Sequence, residues 1–344
     1  MLGLALASGC RPTAAARGPS LAPPSAKGAS ATIDGIRGPV TLHSWFDLPD
    51  DPRSKELSGI AWDDATRTLW AVQDGPASIV PLLPDRDLVS WRLGRSIQLE
   101  LAFPVDLEGI VLVPGAFVVA SEKGPLLLEV DRRGKLRRQL ALPIHYSGAR
   151  DNKSLEALSI SPDGKRLFTT SEGALPCDGP MPTPTTGTRV RILRMGLSGN
   201  ELDEHAYLTD PLPNEQGGDY GVADLVAVSD DDVLVLERGW TRGVGNTSRI
   251  YRVNLADDAS SCLSTPALAA DKPVLEKVLL VDLKTLHAKH LPVPEEPQPA
   301  PLLDNYEGMA CGPLLPDGRR SLILVSDDNA RSEQRARIVV LSLG

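Results

Sequence analysis

The sequence predicts an all-β fold, a β-propeller of five to six four-stranded blades closed by an N-terminal strand. Three observations predict it. One pattern recurs five times along the chain, its first three copies start 50 and 48 residues apart, and each copy reads as a hairpin followed by further strand-like segments. A β-sandwich competes as an architecture, but it does not explain why similar acidic hairpins return at this period.

The chain has 344 residues, 42% of them hydrophobic and 4% aromatic, so Leu and Val must build the core. It opens on MLGLALASGC, an apolar stretch whose Ala7-Ser8-Gly9-Cys10 resembles a bacterial lipobox with Cys10 as the lipidated residue. No basic residue precedes the apolar stretch, which points to a start upstream of Met1. Residues 11–39 are rich in Ala, Pro, Ser and Gly and too poor in large apolar groups to pack, so they read as a flexible tether. The folded domain is expected over 40–344, with export to the periplasm or outer membrane and membrane contact through the N-terminal lipid alone. No later stretch approaches the roughly 18 apolar residues that a spanning helix needs.

Val40 to Phe46 is assigned as the outer strand that closes the last blade. The five hairpins then run from Glu56-Leu-Ser-Gly-Ile to Gly75, Asp106-Leu-Glu-Gly-Ile to Gly124, Ser154-Leu-Glu-Ala-Leu to Gly173, Gly221-Val-Ala-Asp-Leu to Gly239, and Asn305-Tyr-Glu-Gly-Met to Asn329. Their turns carry suitable residues, as in Ser161-Pro-Asp-Gly164 and Leu315-Pro-Asp-Gly318. Further strands are expected at 125–130, 189–195, 249–255, 277–283 and 336–343. Insertions near Cys177, at 255–275 and in the Pro-rich run 291–301 are read as rim loops. Cys177 and Cys262 lie in two of them, and an exported chain makes a disulfide between them plausible. Cys311 sits in an apolar run and reads as a small buried residue.

Asp and Glu total 45 against 36 Lys and Arg, a formal charge of −9, and no long basic run exists, which argues against a nucleic-acid partner. The acids are not scattered. First strands of propeller blades line the central channel, which brings Glu108, Glu156 and Glu307 together, with Asp224 displaced by one residue and Ser58 in place of the first acid. The ends of the second strands add Asp74, Glu122, Glu172, Glu237, Asp327 and Asp328, giving a carboxylate funnel. Two carboxylates about 5 Å apart at an effective dielectric of about 20 repel by roughly 3 kcal/mol, so the funnel requires protons, basic partners or a cation. Lys123, Lys153, Arg189, Arg238 and Arg331 stand beside the acidic positions. Oxygen ligands alone point to a hard cation, calcium before magnesium, and the His spacing does not suit zinc. Capping of backbone amides and pairing with Arg is the purely structural alternative. No nucleophile elbow, Walker loop, His-Glu-x-x-His or dinucleotide fingerprint is present.

Leu57-Ser-Gly-Ile, Asn152-Lys-Ser-Leu-Glu156-Ala-Leu, Ser171-Glu-Gly-Ala-Leu, Val235-Leu-Glu-Arg238-Gly, Asn246 to Leu255, Asn305-Tyr-Glu307-Gly-Met and Val325-Ser-Asp-Asp-Asn329 together resemble the phytase-like family, also called "esterase-like activity of phytase", over about residues 50–343. The resemblance implies an exported repeat protein suspected of hydrolysing phosphoesters. Ser58 and Asp224 depart from its acidic pattern. Combined with the funnel, it leads to a metal-assisted phosphoester hydrolase that works as a monomer on a small-molecule ester. Calcium would be held by Glu108, Glu156, Glu307, Asp327, Asp328 and Asn329. Arg189 and Arg238 would clamp phosphate, and Glu156, Glu172 or Glu237 would serve catalysis, Glu172 or Glu237 by activating water. A non-catalytic envelope-binding propeller and a calcium-dependent carboxylesterase or lactonase are the alternatives.

Overall fold

The computed structural model describes residues 38–200, 202–291, 298–331 and 334–344. Cys10 and residues 11–37 of the expected tether lie outside the described residues. Five antiparallel sheets form five blades, so the expected range of five to six resolves to five. The first blade contains Leu57–Asp63, Thr68–Gln73, Ser78–Pro84 and Trp91–Leu93, with the short Ile97–Gln98 paired to its third strand. The second contains Leu107–Val113, Ala116–Ser121, Leu126–Asp131 and Leu136–Leu140, and the third Leu155–Ile160, Arg166–Ser171, Arg189–Gly196 and Asp203–Leu208. Gly218–Ala227, Asp232–Thr241, Gly245–Asn254 and Lys277–Asp282 make the fourth. The fifth joins Tyr306–Leu314, Arg320–Ser326 and Arg337–Leu343 to the N-terminal Thr41–Asp47, which pairs antiparallel with the last strand and puts Trp45 opposite Val339.

The ring is closed as the repeat requires: each innermost strand packs on those of the blades beside it, and the fifth blade on the first. Between neighbouring blades lies a Leu- and Val-rich layer. Ile110, Phe117 and Val119 meet Val72 and Ile79 at the first junction, and Ile323, Val325 and Ile338 meet Leu57, Ile60 and Leu69 at the closing one. The hairpin turns behave as read. Gly164 and Gly318 adopt φ of 74° and 83°, and their N–H groups donate to Ser161 and Leu315 carbonyls. The outer strands of the first three blades are short, partly polar segments that periodicity did not disclose. Helix among the described residues amounts to short 3-10 turns, and none is long and apolar enough to cross a membrane.

One local device recurs in every blade. The ladder between the first and second strands slips between Leu57 and Ile60, Leu107 and Gly109, Leu155 and Ala157, Val222 and Asp224, and Tyr306 and Gly308. A bulge of this kind leaves one residue unpaired and re-aims its side chain. The residue after it faces the neighbouring blade at very close range. A Cβ on Gly308 would lie 2.6 Å from the Ser58 carbonyl oxygen, and one on Gly109 would lie 2.6 Å from Leu158 Cβ. Replacing Gly308 with Ala should therefore cost about 1–3 kcal/mol in a urea melt, as overpacking does, whereas Gly148→Ala, where nothing lies within 4 Å, should stay within about 0.5 kcal/mol. Equal costs at the two positions would refute this account of blade contact.

Candidate functional site

The bulges and the ladder registers define three rings of equivalent residues at one end of the propeller. Bulged residues form the first: Ser58, Glu108, Glu156, Ala223 and Glu307. The residue after the last paired position of each second strand forms the next: Asp74, Glu122, Glu172 and Asp327, whose N–H groups donate to Glu56, Asp106, Ser154 and Asn305 carbonyls. In the fourth blade, where Val222 pairs with Glu237, this ring position is Arg238, opposite Gly221. Glu56, Asp106, Ser154, Gly221 and Asn305 form the third ring.

Within these rings, between the first, second and fifth blades, opens a cavity of about 170 Å³ lined by Glu56, Ser58, Asp74, Glu108, Glu307, Asp327 and Asn329. Charge around it is unevenly compensated. Arg238 Nη2 donates to Glu307 Oε1 at 2.7 Å and lies 3.7 Å from Glu156 Oε1, while its Nη1 is 3.8 Å from Glu172 Oε1. Lys153 Nζ donates to Glu172 Oε2 at 2.6 Å and also to Asp219. Burial opposes the charge of both cations, but the surrounding carboxylates outweigh it and hold each above its ordinary range. Two groups of carboxylates also lie together, each with ligand oxygens within 4.8 Å of one another: Glu122 with the cation-paired Glu156 and Glu172, and Asp74, Asp106 and Glu108 on the side of the first two blades.

Crowding in a desolvated place holds protons on Asp74, Glu108, Glu122, Glu156 and Asp327. Burial, then a hydrogen bond and repulsion from Asp106, push Asp74 up to about 8. Burial brings Glu122 to about 7, against the opposing bond from Ser154 N–H, and burial with the Glu307 charge brings Asp327 to about 8. Glu108 and Glu156 are held well above the carboxylate range, by burial first and then by Glu307 and Glu108 respectively. Ser58 Oγ fixes Glu108 by donating to Oε2 at 2.6 Å. An all-oxygen donor set short of cations fits a hard divalent ion; Asp106 Oδ1 and the 2%-exposed Ser154 Oγ, both buried atoms, also have no hydrogen-bond partner among the described residues.

Of the residues singled out from the sequence, Glu108, Glu156, Glu172, Glu307, Asp327 and Arg238 meet in the funnel, together with Asp74, Glu122 and Asn329. Others do not. Glu237 is fully buried on the opposite face of its strand, where it accepts from Tyr207 Oη, Lys277 Nζ and Asp210 N–H. Asp224 stands at the position that the other blades fill with Gly or Ala, and accepts from Leu225 and Met309 N–H groups. Arg189 lies on a third strand, and its guanidinium is held by the carbonyls of Ala270 and Lys272. Asp328 turns away to Lys55 at 2.9 Å and to Glu56 N–H. Cys177 and Cys262 are free thiols, the first exposed and the second buried. Arg191 joins their two insertions instead, through Asp178 at 2.6 and 2.7 Å, Glu204 at 2.9 Å and the Cys262 carbonyl at 3.4 Å. Glu56 and Asp106 were not foreseen as site residues, although both recur at a fixed two-residue offset before the first ring.

A model of the family described as "Phytase-like: Esterase-like activity of phytase" matches residues 52–330. No curated protein matches the sequence. Among solved structures, Myxococcus xanthus glutaminyl cyclase is similar at 12% identity and a TM-score of 0.43, over 89% of this chain and 100% of that one. A PQQ-bound aldose sugar dehydrogenase from Streptomyces coelicolor is similar at 13% identity and a TM-score of 0.42, over 89% and 98%. A luciferin-regenerating enzyme is similar at 14% identity and a TM-score of 0.39, over 87% and 96%. Likeness at this level says nothing about chemistry.

The raised carboxyls tie stability to pH in a definite direction. In the unfolded chain Asp74, Asp327 and Glu122 titrate at the ordinary 3.8 and 4.5, whereas the folded chain keeps their protons to about 8, 8 and 7. Between these limits the folded state binds more protons, so the stability these three groups contribute is fullest below about pH 4 and is lost as pH rises toward 8. Asp51 and Asp163, held down to about 2, act below this window. The melting temperature of cation-free protein should fall by several degrees between about pH 5 and about pH 8.5, and calcium should restore it at the higher pH. A melting temperature that is flat or rises over this range would contradict the assignment.

Proposed function

The chain belongs to the phytase-like family, and from this premise we propose that it is a metal-assisted hydrolase of small phosphoesters with its active site in the acidic funnel. The observation that carries the reading is the cavity beside Asp74, Asp106 and Glu108, where carboxylates converge without a basic partner of their own among the described residues. Calcium is the cation proposed, held by Asp74, Asp106 and Glu108, with Glu122, Glu156 and Glu172 as a further oxygen-rich group. Bound there, a divalent ion would offset the field that otherwise repels a phosphate and would polarise the phosphoryl oxygens.

The chain's own residues supply the remainder. Ser58 orients the Glu108 carboxylate. Asp327 lines the same cavity; without an ion its carboxyl is held up to about 8, and a cation bound beside it would draw that value down toward neutral, where the carboxylate can accept a proton from water. It therefore takes the role of general base in place of Glu237, whose burial keeps it from any substrate. Arg238 reaches the funnel, but its guanidinium already serves Glu307, Glu156 and Glu172, so it shapes the site more than it grips phosphate. We place this activity outside the cytoplasm, with lipid on Cys10, where calcium binding in the range of about 10⁻⁴–10⁻³ M would suffice.

Release of phosphate from inositol hexakisphosphate or a simple aryl phosphate should require calcium and stop on chelation. Glu108→Gln and Asp327→Asn should each lower the rate by about 10²-fold or more while circular dichroism stays unchanged. Turnover that persists undiminished after chelation would overturn the metal-assisted reading. Hydrolysis of carboxylate esters or lactones alone would keep the site and change its substrate class.

A further inference from the structure

We infer that Arg238 is a resident cation that takes, among the acids of the third and fifth blades, the place a metal ion takes among those of the first two, and so limits how many ions the funnel holds. The inference rests on the cation-binding reading above. Register carries it first: Arg238 stands where the other four blades present Asp74, Glu122, Glu172 and Asp327. The same blade also lacks the first-ring acid, since its bulged residue is Ala223, and the third-ring position is Gly221. All three positions of this blade are therefore free of carboxylate.

Space has been cleared for the guanidinium's partners. A Cβ on Gly221 would lie 2.6 Å from Glu172 Cγ, so only glycine lets that side chain approach the junction. The Arg238 side chain is 12% exposed, and its charge is shared among three carboxylates from the third and fifth blades. Its Nε is buried with no acceptor among the described residues. A guanidinium placed only to build hydrogen bonds would be expected to fill that fork; here it is placed chiefly as charge at the meeting point of acids. Removing it leaves Glu307, Glu156 and Glu172 facing one another, with Lys153 bonded to Glu172 alone among them.

The test is the number of calcium ions bound, read by isothermal titration and by equilibrium dialysis, independent of turnover. Arg238→Gln should bind one ion more per chain than wild type, and Arg238→Lys, which keeps the charge, should bind the wild-type number. An unchanged or lower number in Arg238→Gln would overturn the inference. Wild type binding no ion while Arg238→Gln binds one would instead refute the metal-assisted reading and leave the role of Arg238 standing. Should Arg238→Gln fail to fold without calcium, wild-type crystals soaked in terbium decide the matter. Anomalous peaks at Asp74, Asp106 and Glu108 with none on the Glu307 carboxylate are expected, and an ion on Glu307 with Arg238 displaced would refute it.

Discussion

Repulsion between carboxylates at the convergence of five strands is the constraint on which the rest of this structure turns. Closing a propeller brings equivalent positions of every blade to one axis, so an acid repeated in sequence becomes an acid repeated in space. At an effective dielectric of about 20, each close pair costs roughly 3 kcal/mol when both members are ionised. The protein answers in three ways. It inserts Arg238 and Lys153, it keeps protons on Asp74, Glu122 and Asp327 into the neutral range, and it leaves an oxygen-lined cavity that a cation suits.

Acids at the axis and beside it also bind the blades to one another. Ser58 of the first blade donates to Glu108 of the second, Ser154 N–H at the start of the third to Glu122 after the second, and Glu56 N–H to Asp328 after the fifth. Asp224 of the fourth blade receives Met309 N–H of the fifth. Burying a carboxylate with such partners is tolerable, while burying it alone is not. Consequently the group that would hold a ligand and the group that fastens a junction are in several places the same residue. Charge-neutral substitutions such as Glu to Gln keep the acceptor oxygen and separate the two roles, which Ala substitutions would confound.

Much of this was legible in the sequence. Spacing, turn residues and the orphan last strand gave the propeller and its closure by the N-terminal strand, because those depend on periodicities that survive in a single chain. Individual side-chain directions did not. Glu237 was aligned with Glu172 by residue type, yet the ladder pairs Val222 with Glu237 and makes Arg238 the true counterpart. A shift of one residue reverses the face of a strand, and the bulge that sets the register leaves no mark in composition. Arg189 failed for another reason: its partners, the carbonyls of Ala270 and Lys272, come from an insertion far away in sequence. Glu56 and Asp106 were discoverable, since both precede a first-ring residue by two.

The fourth blade shows what these shifts accomplish together. Where its neighbours carry Gln73, Ser121, Ser171 and Ser326 facing the blade interior, it carries Glu237; where they carry Gly59, Gly109, Ala157 and Gly308 against the next blade, it carries Asp224. Both acids are turned away from the axis, and at the axis itself stand Ala223, Gly221 and Arg238. Glu237 is matched by Lys277 and Tyr207, and Asp224 by backbone N–H groups, so neither is left unpartnered. In polarity this blade is inverted relative to the other four. A fully acidic ring would repel equally in all directions and offer no preferred seat. One inverted blade breaks that symmetry, drawing Glu307 and Glu156 toward Arg238 and leaving Asp74, Asp106 and Glu108 as the part of the funnel whose charge must be met from outside.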